Sequence, residues 1–152
     1  MQVKELGHIV LYVSDVDRSA RFYGDVLGWQ RLEPPENTTF GRIPVALFSS
    51  GRTHHELLLI EVGPDAEPVP RRRHLGLYHF GLKVGDTDDE LREARARCLD
   101  QGVRIVGMSD HTVTHSLYIE DPDGNEIELY IDVPGVDWTL TNVMSPIKAL
   151  AL

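Results

Sequence analysis

Seven histidines in a chain of 152 residues are the first feature with chemical reach. Imidazole ligates divalent first-row metals and exchanges a proton near neutral pH. His8 and His79 each open a run of alternating apolar residues, and Glu128 lies in a third such run. Two neutral imidazoles and one carboxylate on one face of a sheet would make a facial set of three ligands. Such a set suits a divalent first-row ion and leaves positions open for substrate. Whether these side chains share a face is a question about the elements that carry them.

Those elements repeat. Gly7-His8-Ile9-Val10-Leu11-Tyr12-Val13-Ser14-Asp15 overlays Tyr78-His79-Phe80-Gly81-Leu82-Lys83-Val84-Gly85-Asp86 at an offset of 71 residues, and the same offset brings Leu59 to Val62 onto Tyr130 to Val133. A constant offset marks a duplicated supersecondary unit. We expect one domain over residues 1–152, with module one at about 4–63, a Pro-rich linker at about 64–75, module two at about 76–133 and a tail at 134–152. Each module reads β-α-β-β-β. The helices are expected at 15–28 and 87–101, capped by Ser14 or Asp15 and by Asp86 or Thr87, and stopped at Gly28 and Gly102. Later strands are expected near 30–32, 45–49, 54–62, 104–107, 115–120 and 126–133. The fold class is α+β, two paired modules forming a cupped mixed sheet around a metal cavity.

Alternation sorts the faces. Ile9, Leu11 and Val13, Phe80, Leu82 and Val84, and Ile127, Leu129 and Ile131 should pack under the helices. His8, His79 and Glu128 then point together to the concave side. By the same offset Leu57 overlays Glu128, so His55, Leu57 and Leu59 should face the cavity, with His55 an acid-base candidate beside the metal. A slip of one residue would present His54 and Glu56 instead, with Glu56 as a fourth ligand.

Composition sets the outer bounds. Lys and Arg total 15 against 24 Asp and Glu, a net charge of -9, which speaks against nucleic acid as partner. The longest aliphatic run, Leu57 to Ile60, is far short of the roughly 20 residues of a membrane helix. Cys98 is the only cysteine and falls on the inner face of the second helix, as a core contact. The expectation is a cytoplasmic protein. Arg71 to Arg73 read as a solvated run, and His74 as exposed.

The paired modules, the Gly7–Asp15 opening and Arg21-Phe22-Tyr23-Gly24-Asp25-Val26-Leu27-Gly28-Trp29 resemble the vicinal-oxygen-chelate superfamily. That group includes glyoxalases, epimerases, fosfomycin and bleomycin resistance proteins, and extradiol dioxygenases. His111, five residues, Leu117-Tyr118, two residues, Asp121-Pro122-Asp123-Gly124, three residues and Glu128 are similar to the extradiol dioxygenase signature, with Met108 departing from its small or β-branched residue. Tyr130, Asp132, Pro134, Trp138, Met144 and Pro146 resemble the ending of small catechol 2,3-dioxygenase-like proteins. The resemblance implies iron ligands at His8, His79 and Glu128, a proton-transferring His55, and His111 and Tyr118 hydrogen-bonded to the substrate's oxygens. It implies ring opening of a small aromatic diol by dioxygen, in aromatic catabolism, with Fe(II), or Mn(II) as the alternative, and often a homodimer. Zinc, lacking redox chemistry, would not serve. Two other classes stay open: a glyoxalase- or epimerase-like isomerase or lyase with Glu56 as fourth ligand, and a non-catalytic small-molecule-binding resistance protein.

Overall fold

The computed structural model describes residues 1–33, 43–140 and 147–152. Met144 and Pro146 of the tail lie outside the described residues. The chain divides between Pro68 and Val69 into two compact units, each with its own sheet.

The first unit runs β1 (Ile9–Val13), α1 (Val16–Arg21), a π-helical turn (Phe22–Val26), β2 (Gln30–Leu32), β3 (Val45–Ser49) and β4 (Leu57–Glu61). Its sheet has the order β1-β4-β3-β2, with β1 parallel to β4 and the other neighbours antiparallel. Alternation in β1 works as the apolar pattern requires: Leu11 and Val13 are buried while Val10 and Tyr12 are exposed. Asp15 caps α1 by accepting from the Arg18 amide at 2.8 Å. A single α-helix was expected as far as Gly28, but the chain widens after Arg21. The Leu27 amide reaches back five residues to the Phe22 carbonyl at 3.1 Å. The wider turn lets Phe22 and Tyr23, neighbours in sequence, both enter the core, where Tyr23 also meets Phe48 and Trp29.

The second unit runs β5 (His79–Gly85), α2 (Asp88–Asp100), β6 (Ile105–Asp110), β7 (Thr114–Glu120), β8 (Glu126–Asp132) and β9 (Lys148–Ala149). Its sheet has the order β5-β8-β7-β6-β9, with β5 parallel to β8. Thr87 and Glu90 form a reciprocal cap at the start of α2: the Thr87 hydroxyl accepts from the Glu90 amide, and Glu90 accepts from the Asp86 amide at 2.8 Å. Leu91 and Cys98 are buried under the helix, and burial pushes the Cys98 thiol up from its usual range. Gly28 and Gly102 take positive φ of 74° and 68° just past the helical segments, the left-handed exit that glycine permits without strain. Two β-α-β-β-β units make this an α+β fold of two mixed sheets. The two-residue β9, paired to β6 through Ser109 and Asp110, had no signal in the sequence.

One expectation fails in β4. The offset of 71 holds between β1 and β5 but not between β4 and β8. Ile9 pairs with Leu57, whereas Phe80 pairs with Ile127, so Leu57 corresponds to Ile127 and Leu58, not Leu57, corresponds to Glu128. Residues paired across a ladder point to one side, so Leu57 and Leu59 lie with Ile9 and Leu11 on the helix face, each fully buried. The strand is also shorter than expected, beginning at Leu57. The second module has one residue fewer between its first and last strands, and the chance match of Ile60 with Ile131 and Val62 with Val133 concealed it.

Candidate functional site

In the second unit, period-two alternation carries Gly81 on β5, Ser116 and Tyr118 on β7, and Glu126, Glu128 and Tyr130 on β8 to the face opposite α2. His79 joins them as the first residue of β5, paired with Glu126. Gly81 keeps this face open: a Cβ there would sit 3.2 Å from the Tyr130 ring and 3.7 Å from the Glu128 carboxylate. The Glu128 carboxylate is the hub. Its Oε1 accepts from the Ser116 hydroxyl at 2.6 Å and the Tyr118 hydroxyl at 3.2 Å, and its Oε2 lies 3.3 Å from His79 Nε2.

Tyr118 in turn lies 2.8 Å from His111 Nε2, so a ring N–H on His111 can donate to the phenol that donates to Glu128. Burial first, and then the negative charge of Glu128, push the Tyr118 hydroxyl up to about 12, so that it remains a donor at neutral pH. The His79 ring is flanked by Tyr78 at 4.7 Å and by the edge of Tyr118 at 5.5 Å. Met108 pairs with Leu117 and therefore lies on the other side of the sheet from Tyr118, so its departure from the signature leaves this face alone. His115, also on that other side, binds Asp88 at 2.6 Å and ties β7 to the start of α2.

In the first unit His8 precedes β1 and stacks against His55, ring centroids 4.6 Å apart. His54 lies against His55 in turn, their Nδ1 atoms 2.6 Å apart, so one of the two must be unprotonated. Burial, with the neighbouring His54 and His8, lowers His55 from the ordinary imidazole value. His55 thus meets His8 from the loop ahead of β4, not from a cavity-facing position within the strand as the offset implied.

Glu56 is already engaged. One oxygen accepts from the Ser50 amide and hydroxyl at 2.6 and 2.5 Å, and the other from Arg52 Nε at 2.9 Å. These bonds outweigh the cost of its burial and hold the carboxyl below its usual range. Arg52 also bonds Glu5 and the carbonyls of Leu6 and Gly7, which fastens the segment leading into His8 to the loop that carries His55. Sequence reasoning missed Arg52, since a loop guanidinium has no periodicity to betray it. Alternation places Ser116 on the same face as Tyr118 but gives it no role, which its bond to Glu128 supplies.

The donor types suit a divalent ion: the His79 imidazole and the Glu128 carboxylate, the latter held by two hydroxyl donors, face each other on one sheet. Among the described residues no three His, Cys, Asp or Glu side chains form a ready cage for a metal ion.

Two β-α-β-β-β units, with β1 parallel to β4 and β5 parallel to β8 and a His at the head of β1 and of β5, define a class of duplicated-module proteins. The chain belongs to the Glyoxalase/Bleomycin resistance protein/Dioxygenase superfamily, whose family model matches residues 5–129. It is 37% identical over 133 residues to the catechol-2,3-dioxygenase of Bacillus subtilis, covering 88% of this chain and 43% of that protein. A probable lactoylglutathione lyase of Synechocystis is 31% identical over 129 residues, covering 80% of this chain and 91% of that protein. The glyoxalase/dioxygenase structure from Nostoc punctiforme superposes with a TM-score of 0.68 at 26% identity, covering 85% of this chain and 91% of that one. The chain thus spans less than half the length of the B. subtilis dioxygenase. The names its relatives bear are mostly those of enzymes. Among the described residues no helix is long and apolar enough to cross a membrane.

Proposed function

We propose that the chain is an extradiol ring-opening dioxygenase that acts on a catechol-type diol with Fe(II) and dioxygen. His8, His79 and Glu128 would hold the ion, which when bound supplies the electron transfer between diol and dioxygen that no side chain can. The observation that carries the reading over a four-ligand site is Leu58. It stands in β4 where Glu128 stands in β8, and an apolar side chain there leaves the position open. Glu56, the carboxylate that would have to substitute, already satisfies Ser50 and Arg52. Similarity to a named catechol-2,3-dioxygenase supports the choice of substrate class.

The remaining side chains then have work to do. His55, its basicity reduced by burial, is suited to take a proton from the diol and return it after the oxygen step. Tyr118 and His111 form a chain of donors that ends on Glu128 and can turn toward a substrate oxygen. Ser116 keeps the ligand carboxylate from rotating. A second reading, a metal-dependent lyase, draws on the Synechocystis relative, which the chain matches over 91% of its length. Anaerobic loading with Fe(II), followed by air and a panel of catechols, separates the two. Dioxygenase activity gives a yellow ring-fission product only after air is admitted; no such product with any diol, together with oxygen-independent turnover of a hemithioacetal on nickel or zinc, would establish the lyase.

A further inference from the structure

His79 carries one carboxylate at each ring nitrogen. Nε2 lies 3.3 Å from Glu128, and Nδ1 lies 3.4 Å from Glu126. The two acids are alternate residues of β8, on one face and about 7 Å apart along the strand, a gap that an imidazole can span. Nδ1 is buried from solvent and, among the described residues, lacks a properly directed hydrogen bond. Nδ1 therefore has the Glu126 carboxylate within reach, and a small turn of the ring would direct its N–H there. A histidine that binds a metal through Nε2 is neutral and carries its proton on Nδ1, where it needs an acceptor. Glu126 is the carboxylate at that position, paired with His79 across the β5–β8 ladder, and its charge raises the neighbouring Tyr78 hydroxyl above its usual range.

We propose that Glu126 is a positioning residue for His79: its carboxylate accepts the Nδ1 proton, fixes the ring's rotation and tautomer, and leaves Nε2 free to bind the metal. This rests on the reading of His79 as a ligand. It assigns Glu126 no bond to the ion, since Glu126 addresses the nitrogen on the other edge of the ring. Tyr78 and Tyr118 pack against the ring without supplying that acceptor, so the tautomer is left to Glu126.

The test is made on the full chain, with Zn(II) as a diamagnetic probe and nitrogen-15-labelled histidine. Bound wild type should show a slowly exchanging Nδ1 proton on His79 and a metal-bound Nε2. Glu126→Ala should weaken Zn(II) and Co(II) affinity by about 10–100-fold and let the Nδ1 proton exchange freely. Glu126→Gln, which keeps a carbonyl acceptor, should recover much of the affinity and the protected proton, as a loss of folding would not. Full affinity with an unchanged Nδ1 resonance in Glu126→Ala overturns the assignment while leaving His79 a ligand. Wild-type chain that binds neither metal, or binding that His79→Ala leaves intact, overturns the ligand reading and this inference with it.

Discussion

At the scale of single residues, some side chains are assigned to reacting atoms and others to holding them in place. His55 is given the proton and no share of the metal. His55→Gln should therefore keep iron while lowering turnover by about 10²–10⁴-fold, the usual worth of a positioned acid-base group. Iron content read beside single-turnover kinetics checks this; loss of iron would make His55 a ligand. Arg52 acts one step further out, through its bonds to Glu5, Leu6, Gly7 and Glu56. Arg52→Ala should loosen the approach to both His8 and His55, weakening metal binding and turnover together. Arg52→Lys should fall between, because an ammonium cannot reproduce the planar fork of donors. Isothermal titration with Co(II) would register the first effect, and equal affinity in all three proteins would refute it.

At the scale of elements, the cap of α2 offers a stability prediction with a definite sign. Hydrogen bonds from the Asp86 amide and the Thr87 hydroxyl hold the Glu90 carboxyl below its usual range. A depressed folded-state value means that the ionised form stabilises the fold above the ordinary carboxylate range, and that this contribution is lost as pH falls through the folded-state value. Urea melts should show Glu90→Gln less stable than wild type at pH 7, with the gap closing as the pH is lowered into the acid range. Thr87→Ala should cost about 1 kcal/mol at neutral pH, as other helix caps do. Most of these elements were legible in the sequence because burial imposes its period. Ile9-Val10-Leu11-Tyr12-Val13 and Ile127-Glu128-Leu129-Tyr130-Ile131 alternate as half-buried strands do, and of the two cap candidates, Asp86 and Thr87, the structure uses Thr87. The register of β4 was not legible. Leu57-Leu58-Leu59-Ile60 is apolar throughout, so it carries no alternation to show which face is inner, and only the pairing to β1 decides it. The π-helical turn was hidden for a similar reason, since apolar spacing over one turn does not separate a reach of four residues from one of five.

At the scale of the whole molecule, metal binding should register in stability. A metal bound to the folded chain should stabilise it by roughly 4 kcal/mol at a thousandfold excess over its dissociation constant. Calorimetry should show the transition rise with Zn(II) or Co(II) in wild type, and fail to rise in both His8→Ala and Glu128→Ala. A shift retained by His8→Ala would remove His8 from the ligand set. Isotopic oxygen tests the proposed ring opening of a catechol by dioxygen. Fe(II)-loaded protein, given a catechol and oxygen-18 gas, should yield a ring-opened product in which both atoms of one dioxygen molecule are incorporated. A product carrying no label, or an uncleaved diol with the oxygen unconsumed, would contradict it.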